Sequence, residues 1–323
     1  MYKALTYILA FVTMLTIVGF MGQLWWVFDL ASHFRPQYFI ALVILVVLFA
    51  KAKKWKSTGV GIICGLANFM LISPYIGTIN SVTEIDKPKI RILSMNLNHT
   101  NSSYKKAKLI IKKTQPNVLI LQELSNSWEN ELGETLAKFP YSAKLPVNTM
   151  YGLDLPMPNF LLPFAIPKEK LFVGLFSHLP FERILTDRPD SYIRGSFEFK
   201  EKVFTLFGVH LSSPIGKVRA DARNKQLNSL VEEIQKNNQP TVVIGDFNTT
   251  PWSLYFQDFI QKSRLRDTRK GLGIYPTWLA QFPPLSIPID HSLTSDGIEV
   301  GSFSLGTSFG SDHLPIILDF SID

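Results

Sequence analysis

One cysteine stands among 323 residues. Cys64 therefore has no partner for a disulfide within the chain, and its place inside an apolar run suits a small core residue. Charge is missing too. From residue 4 to 22 the sequence "ALTYILAFVTMLTIVGFMG" carries none, and at about 1.5 Å per helical residue such a run covers roughly the core of a bilayer. No small-x-small site follows it cleanly, and the run exceeds a usual signal-peptide core, so an uncleaved membrane helix is the better reading. Acidic residues are scarce in the same region. Of the 26 Asp and Glu, only Asp29 falls within residues 1–81.

What this region does contain is apolar length and lysine. Two further runs, 38–50 and 58–77, follow the first, and Trp25 and Trp26 sit where an aromatic interface belt belongs. The second run is short and needs its flanks to reach across. Three membrane helices are expected, over 4–25, 36–52 and 57–77, forming an anchor of residues 1–81. Lys51, Lys53, Lys54 and Lys56 crowd the loop between the second and third runs. The positive-inside rule places that loop in the cytoplasm and everything after the third helix on the far side. An integral protein of a bacterial inner membrane, with residues 82–323 periplasmic or extracellular, is the expected localisation.

Six of the 33 Lys and Arg lie in residues 1–81, a net +5 that leaves only +2 for residues 82–323. A duplex-binding protein usually shows a strongly basic face, so this near-neutral balance weighs against one without excluding a local patch. No internal repeat appears. Strands are expected at "KIRILSMNLN", "NVLILQE", "KLFVGLFSHLPF", "TVVIGDFN", "IDHSLTS" and "LPIILDFSI", with a hairpin in "GSFEFKEKVFTLFGVHLSS" turning near Lys200–Lys202. Helices are expected at "SSYKKAKLIIKKTQ" and at "VRADARNKQLNSLVEEIQKNN", the latter with Ala220, Leu227, Leu230, Val231 and Ile234 on one side. This mixture implies a layered α/β domain over 82–323. Residues 141–170, rich in Pro and apolar side chains, show no period and read either as a loop packed on the domain or as an apolar flap facing lipid or substrate.

Polar residues accumulate at the strand ends. Asn96, Glu123, His210, Asp246 and the Asp312–His313 pair each follow or precede a buried-looking strand. Any one of them suits a cap or a turn, but six aimed at one rim suit a charged ligand. With "SMNLN", "LQEL", "GVHLSS", "GDFNTTPW", "IDHSL" and "GSDHLPI" in this order, residues 88–323 resemble the endonuclease/exonuclease/phosphatase superfamily. His178 in "VGLFSHLP" stands where the family pattern usually has Arg.

The resemblance implies a four-layer sandwich of two mixed β-sheets flanked by helices, and phosphoester hydrolysis by in-line attack of water. It implies Mg²⁺, with Mn²⁺ as a substitute, held by Glu123 and the Asn96 carbonyl with Asp312 completing or flanking the site; a hard cation favours such oxygen ligands. It further implies that Asp290 holds the essential His313, that Asp246 orients or deprotonates water, that Asn248 aims its amide at the nucleophile or a phosphoryl oxygen, and that His210 donates to the phosphate. The expected function is a membrane-anchored, divalent-metal-dependent phosphodiesterase, its substrate a nucleic acid or a lipid head group. A phosphomonoesterase and a catalytically silent phosphate-binding module are the alternatives. Arg194 reads as a further phosphate contact or a solvated charge. Lys217, Arg219 and Arg223 form a cationic cluster or the exposed face of their helix, and Trp252 and Trp278 stack on a base, support a lipid-facing rim or pack inside. No protein partner is implied.

Overall fold

The computed structural model describes residues 2–77, 89–147, 169–184 and 192–323. The expected domain boundary at 81/82 and most of the proposed flap, residues 148–168, lie outside these. The N-terminal module comprises helices α1 (Tyr2–Val18), α2 (Trp26–Ser32), α3 (Arg35–Lys51) and α4 (Trp55–Ile72). Two continuous helical segments, Tyr2–Met21 and Trp55–Tyr75, are long and apolar enough to cross a membrane, and α2 with α3 makes a third if the pair, bent by 62°, counts as one span. Leu9, Val12, Leu42, Leu45, Phe49 and Cys64 pack between the helices, while Tyr7, Phe11, Ile44, Ile63 and Met70 point outward uncovered. Such a girdle suits a lipid solvent.

Residues 89 onward build two six-stranded sheets. β1 (Ile90–Asn96), β2 (Val118–Leu124), β3 (Tyr141–Pro146), β4 (Phe172–Ser177), β11 (Ile298–Leu305) and β12 (Ile316–Ile322) form the first, in the order β11-β12-β1-β2-β4-β3. The second runs β5-β6-β7-β8-β10-β9, from β5 (Phe181–Ile184), β6 (Tyr192–Phe199), β7 (Lys202–His210), β8 (Thr241–Asp246), β9 (Arg266–Asp267) and β10 (Asp290–Thr294). Their facing sides share a core that includes Ile92, Ile120, Leu206 and Ile244. Helices α5 (Tyr104–Thr114) and α6 (Asn126–Leu136) cover the outer face of the first sheet, and α7 (Lys217–Gln235) and α8 (Leu254–Ser263) that of the second. Four layers result, as the resemblance implies. Central strands covered on both faces explain why "NVLILQE" and "TVVIGD" read as continuous apolar runs rather than alternating ones.

The β6–β7 hairpin turns where expected. Phe199 pairs with Lys202, and Lys200 and Glu201 both take left-handed backbone angles, φ 52° and 64°, the twist that a tight hairpin requires. The expected structureless stretch at 141–170 begins instead as the edge strand β3, which pairs along β4. Its mixture of exposed and covered side chains at a sheet edge hides the two-residue period. Helices α6 and α8 and strands β9 and β11 are further elements that the sequence reading did not separate.

Candidate active site

Sheet topology explains why these polar positions meet. β1 and β2 are parallel, as are β7 and β8, while β12 runs antiparallel to β1 and β10 antiparallel to β8. The C-terminal ends of β1, β2, β7 and β8 therefore share one edge with the N-terminal ends of β10 and β12. Asn96, Glu123, His210 and Asp246 come from the former set, Asp290 and the Asp312–His313 pair from the latter. Cross-strand register already brings His210 opposite Asp246, and Asp246 opposite Asp290.

Within the rim, Asp246 is the hub. Its Oδ2 accepts from Asn96 Nδ2 at 3.0 Å and Asn248 Nδ2 at 3.2 Å, and its Oδ1 accepts from the Asn248 backbone N–H at 2.8 Å. Asn248 Nδ2 also donates to Leu211 O at 2.9 Å. His313 Nδ1 donates to Asp290 Oδ2 at 2.9 Å. That leaves His313 Nε2 facing Asp246 Oδ2 at 3.8 Å, while His210 Nε2 lies 3.8 Å from both Asp246 Oδ2 and Glu123 Oε1. These separations exceed a direct hydrogen bond and leave room for a bridging oxygen. Glu123 takes a left-handed backbone, φ 53°, where the pairing of β2 with β4 shifts register. This bulge turns its carboxylate toward the rim.

Three residues outside the expected catalytic and metal set complete the arrangement. His99 donates to Glu123 Oε2 through its backbone N–H at 2.8 Å and through Nδ1 at 2.9 Å. Trp278 Nε1 donates to Asp312 Oδ2 at 3.0 Å, while Asn98 Nδ2 holds Oδ1 of the same carboxylate at 2.6 Å. In the sequence the only hint is that Asn98 and His99 continue the polar run after Asn96. Trp278 is singled out in the sequence as an aromatic, not as a donor to Asp312.

Electrostatics separates the two carboxylates. Burial favours the neutral acid at Glu123, yet the His99 hydrogen bond and the His210 ring outweigh it and hold its pKa down to about 2. Asp246 moves the other way, because burial and then the neighbouring Asp290 charge both raise its pKa. Burial disfavours the His313 imidazolium, but Asp290 and Asp246 together hold it well above the usual range. His210 is lowered, since burial exceeds the pull of Glu123. One rim thus holds a firm carboxylate at Glu123, a more basic carboxylate at Asp246 and a firmly protonated imidazole at His313.

Residues 93–313 match the sequence profile of the Endonuclease/Exonuclease/phosphatase family. The chain belongs to that family. Solved structures agree on the fold. An endonuclease/exonuclease/phosphatase from Beutenbergia cavernae is 18% identical with a TM-score of 0.57, covering 73% of this chain and 72% of the other. The human Nocturnin catalytic domain with bound sulfate is 20% identical at 0.55, covering 73% and 96%. D. rerio TDP2, complexed with a single-strand DNA product, is 17% identical at 0.53, covering 73% and 100%. No curated protein sequence matches the chain. Members of the family are metal-dependent hydrolases of phosphate esters, and the chain is an enzyme of that class.

The rim suits a divalent cation. Asp246 and Asp290 crowd beside His313, with one polar atom of each residue within 4.8 Å of the others, and the raised Asp246 carboxyl marks crowded negative charge that a cation would relieve. Glu123 Oε1 lies at the rim with His210 as its neighbour. Asn96 Oδ1 accepts from the Asn98 N–H, and both Asp312 oxygens already carry hydrogen bonds, which leaves lone pairs on each.

Several expected contacts fall elsewhere. Arg194 donates to Glu233 and Asn237, beside the C-terminal end of α7, and is no rim cation. His178 lies just past the end of β4, opposite the rim, stacked against Phe139. Lys217 is exposed as expected, but Arg223 is fully buried. The hydrophobic period of α7 predicted a solvated Arg223, and the N-terminal module covers it instead. Trp252 is buried with its Nε1 on His33 O at 2.9 Å, which excludes stacking on a base.

Proposed function

We propose that the chain hydrolyses a phosphodiester with a divalent cation, Mg²⁺ or Mn²⁺, at a membrane surface, and that the substrate is a lipid head group. Glu123, the Asn96 carbonyl and Asp312 would hold the cation, with Asp246 and Asp290 adjacent. When bound, it supplies positive charge to the phosphoryl and leaving oxygens. Asp246 accepts the proton of the attacking water, and Asn248 orients that water. His313, kept cationic by Asp290, faces a phosphoryl oxygen through Nε2, and His210 donates to another. The observation that carries the reading is that His210 Nε2 stands 3.8 Å from both Glu123 Oε1 and Asp246 Oδ2, and His313 Nε2 stands 3.8 Å from the same Asp246 oxygen.

Placement of the rim favours lipid over nucleic acid. The loops that form it rest on the N-terminal module: Gln37 Nε2 of α3 donates to Ser286 O at 2.9 Å. Beside that contact, Phe282 and Leu285 stand 53% and 44% exposed. Apolar side chains at the level of the module would enter the acyl boundary, whereas a nucleic acid would call for cations. The phosphomonoesterase alternative loses support because Arg223, part of its cationic cluster, is buried. A silent binding module would lack part of the constellation, and no part is missing.

The test uses the full chain in nanodiscs of mixed phospholipids and sphingomyelin, with Mg²⁺ or with EDTA, followed by ³¹P NMR, and the same preparation with single-stranded and plasmid DNA. Release of a phosphorylated head group that EDTA abolishes is expected. Cleavage of DNA with the lipids intact would overturn the lipid assignment, and hydrolysis of neither would overturn the reaction.

A further inference from the structure

Asp29 is the sole carboxylate of residues 1–81, and the structure buries it. It lies on α2 and faces the catalytic domain. Asp29 Oδ2 accepts from Arg223 Nη2 at 2.7 Å, and Asp29 Oδ1 accepts from Ser253 Oγ at 2.7 Å. Ser253 stands at the N-cap of α8 but makes no capping bond. Its hydroxyl serves Asp29 instead. A few residues on, His33 Nδ1 shares a hydrogen bond of 3.0 Å with Thr250 Oγ1, and His33 O takes the Trp252 indole.

Apart from the ion pair with Arg223 on α7, these contacts fall on a single loop, the one that leads from Asp246 to α8. The other arm of Arg223, Nη1, donates to the backbone carbonyl of Asn248 at 3.3 Å. Asn248 is a non-glycine residue held at φ 50°, a conformation that needs support from its surroundings. The peptide whose carbonyl Arg223 holds belongs to the residue whose amide contacts Asp246. From the opposite side, His291 Nε2 donates to Thr249 O at 2.7 Å. The loop is thus gripped between the N-terminal module and the second sheet.

We propose that α2 is part of the active-site framework: Asp29, acting through Arg223, is a positioning residue that fixes the orientation of Asn248 beside Asp246. An N-terminal module serving only as a tether would need no contact with the catalytic loop, and a lone buried charge would be costly without its partner. The proposal rests on the reading that Asn248 orients the attacking water.

Arg223→Lys in the full chain, reconstituted in nanodiscs, tests it. Lysine keeps the charge facing Asp29 but cannot fork to the Asn248 carbonyl. With Mg²⁺ and bis(p-nitrophenyl) phosphate, kcat is expected to fall by about 10²-fold with KM little changed, the scale of a small misplacement of a reacting group. In an Asn248→Ala background the same substitution is expected to cause no further loss, since its effect runs through Asn248. Amide exchange over residues 246–253 should quicken, while that of β2 stays as in the wild type. Wild-type kcat in Arg223→Lys, or losses that multiply in the double variant, would overturn the proposal. If Arg223→Lys fails to fold, Ser253→Ala removes one bond to Asp29 and leaves the ion pair; a several-fold lower kcat with faster exchange at 246–253 supports the proposal, and unchanged values overturn it. An inactive wild type would defeat the functional reading, and the exchange measurement would still decide whether α2 holds the loop.

Discussion

At the scale of single residues, the rim depends on groups held in opposite protonation states. Glu123 is the clearest case: in the fold its pKa lies at about 2 rather than the usual 4.5. A depressed carboxyl adds stability that is fully present above the unfolded value and disappears as pH falls through the folded one, here between about 4.5 and 2. The contribution is of the order of 3 kcal/mol. Thermal unfolding of the full chain in detergent, without added metal, should therefore show a gap between wild type and Glu123→Gln that narrows as pH drops from 5 to 2. A gap of constant size would show that the His99 and His210 contacts do not hold the charge. The motif "GDFN" made Asp246 and Asn248 legible, and its glycine has an equally physical reason: at φ 139°, a Cβ on Gly245 would sit 2.2 Å from Val209 O. His99 was not legible, because its value lies in reaching Glu123, 24 positions away. Trp278 was picked out for its ring, but an isolated tryptophan gives no sign that its N–H will meet Asp312.

At the scale of elements, legibility follows burial. Strands β2 and β8 stood out because both of their faces are covered, and the hairpin of β6 and β7 because its apolar residues break at a polar turn. Edge strands β3 and β9 did not, since one is partly solvated and the other only two residues long. Helix α7 shows how an element can be found and still be misread. Its apolar face was identified, yet Arg223 and Gln226 are buried as well, Arg223 against Asp29 of α2 and Gln226 against the chain after β7, where it accepts from the Ser212 N–H. The ion pair of Arg223 with Asp29 joins α7 to α2 with both side chains at most 1% exposed. Removing one partner of a buried pair costs roughly 3–5 kcal/mol, so Asp29→Ala should lower the unfolding midpoint of the full chain by several degrees. Replacement of both residues by apolar side chains of similar size should recover much of that loss. A midpoint unaffected by Asp29→Ala would mean that α2 does not seat on the domain as described.

For the whole molecule, the two modules are oriented by which ends they use. The domain is met by α2, by Gln37 in the first turns of α3 and by Tyr75 just beyond α4, whose hydroxyl reaches Asp267 at 3.3 Å. Lys51, Lys53 and Lys54 lie at the other end of α3, about 25 Å along a helix of 17 residues. Lys54 there approaches the ring of Tyr2. The charge pattern and the geometry agree that the lysine loop and the catalytic rim occupy opposite ends of the module. A reporter fused after Asp323 should accordingly be active outside the cytoplasm, and a cytoplasmic signal would reverse the orientation. The layered domain was foreseeable from its motifs. That its rim would rest on the N-terminal module was not, because the pairing of Asp29 with Arg223 spans 194 positions and appears only once both modules are folded.

The most direct measurement is the rate of phosphodiester hydrolysis by the full chain in nanodiscs, with Mg²⁺ and after chelation, for the wild type and for His313→Asn. Loss of hydrolysis on chelation, and a fall of about 10²- to 10⁴-fold in the variant with Mg²⁺ present, is the predicted result. Hydrolysis that survives chelation, or a variant as fast as the wild type, would contradict a metal-assisted reaction centred on that histidine.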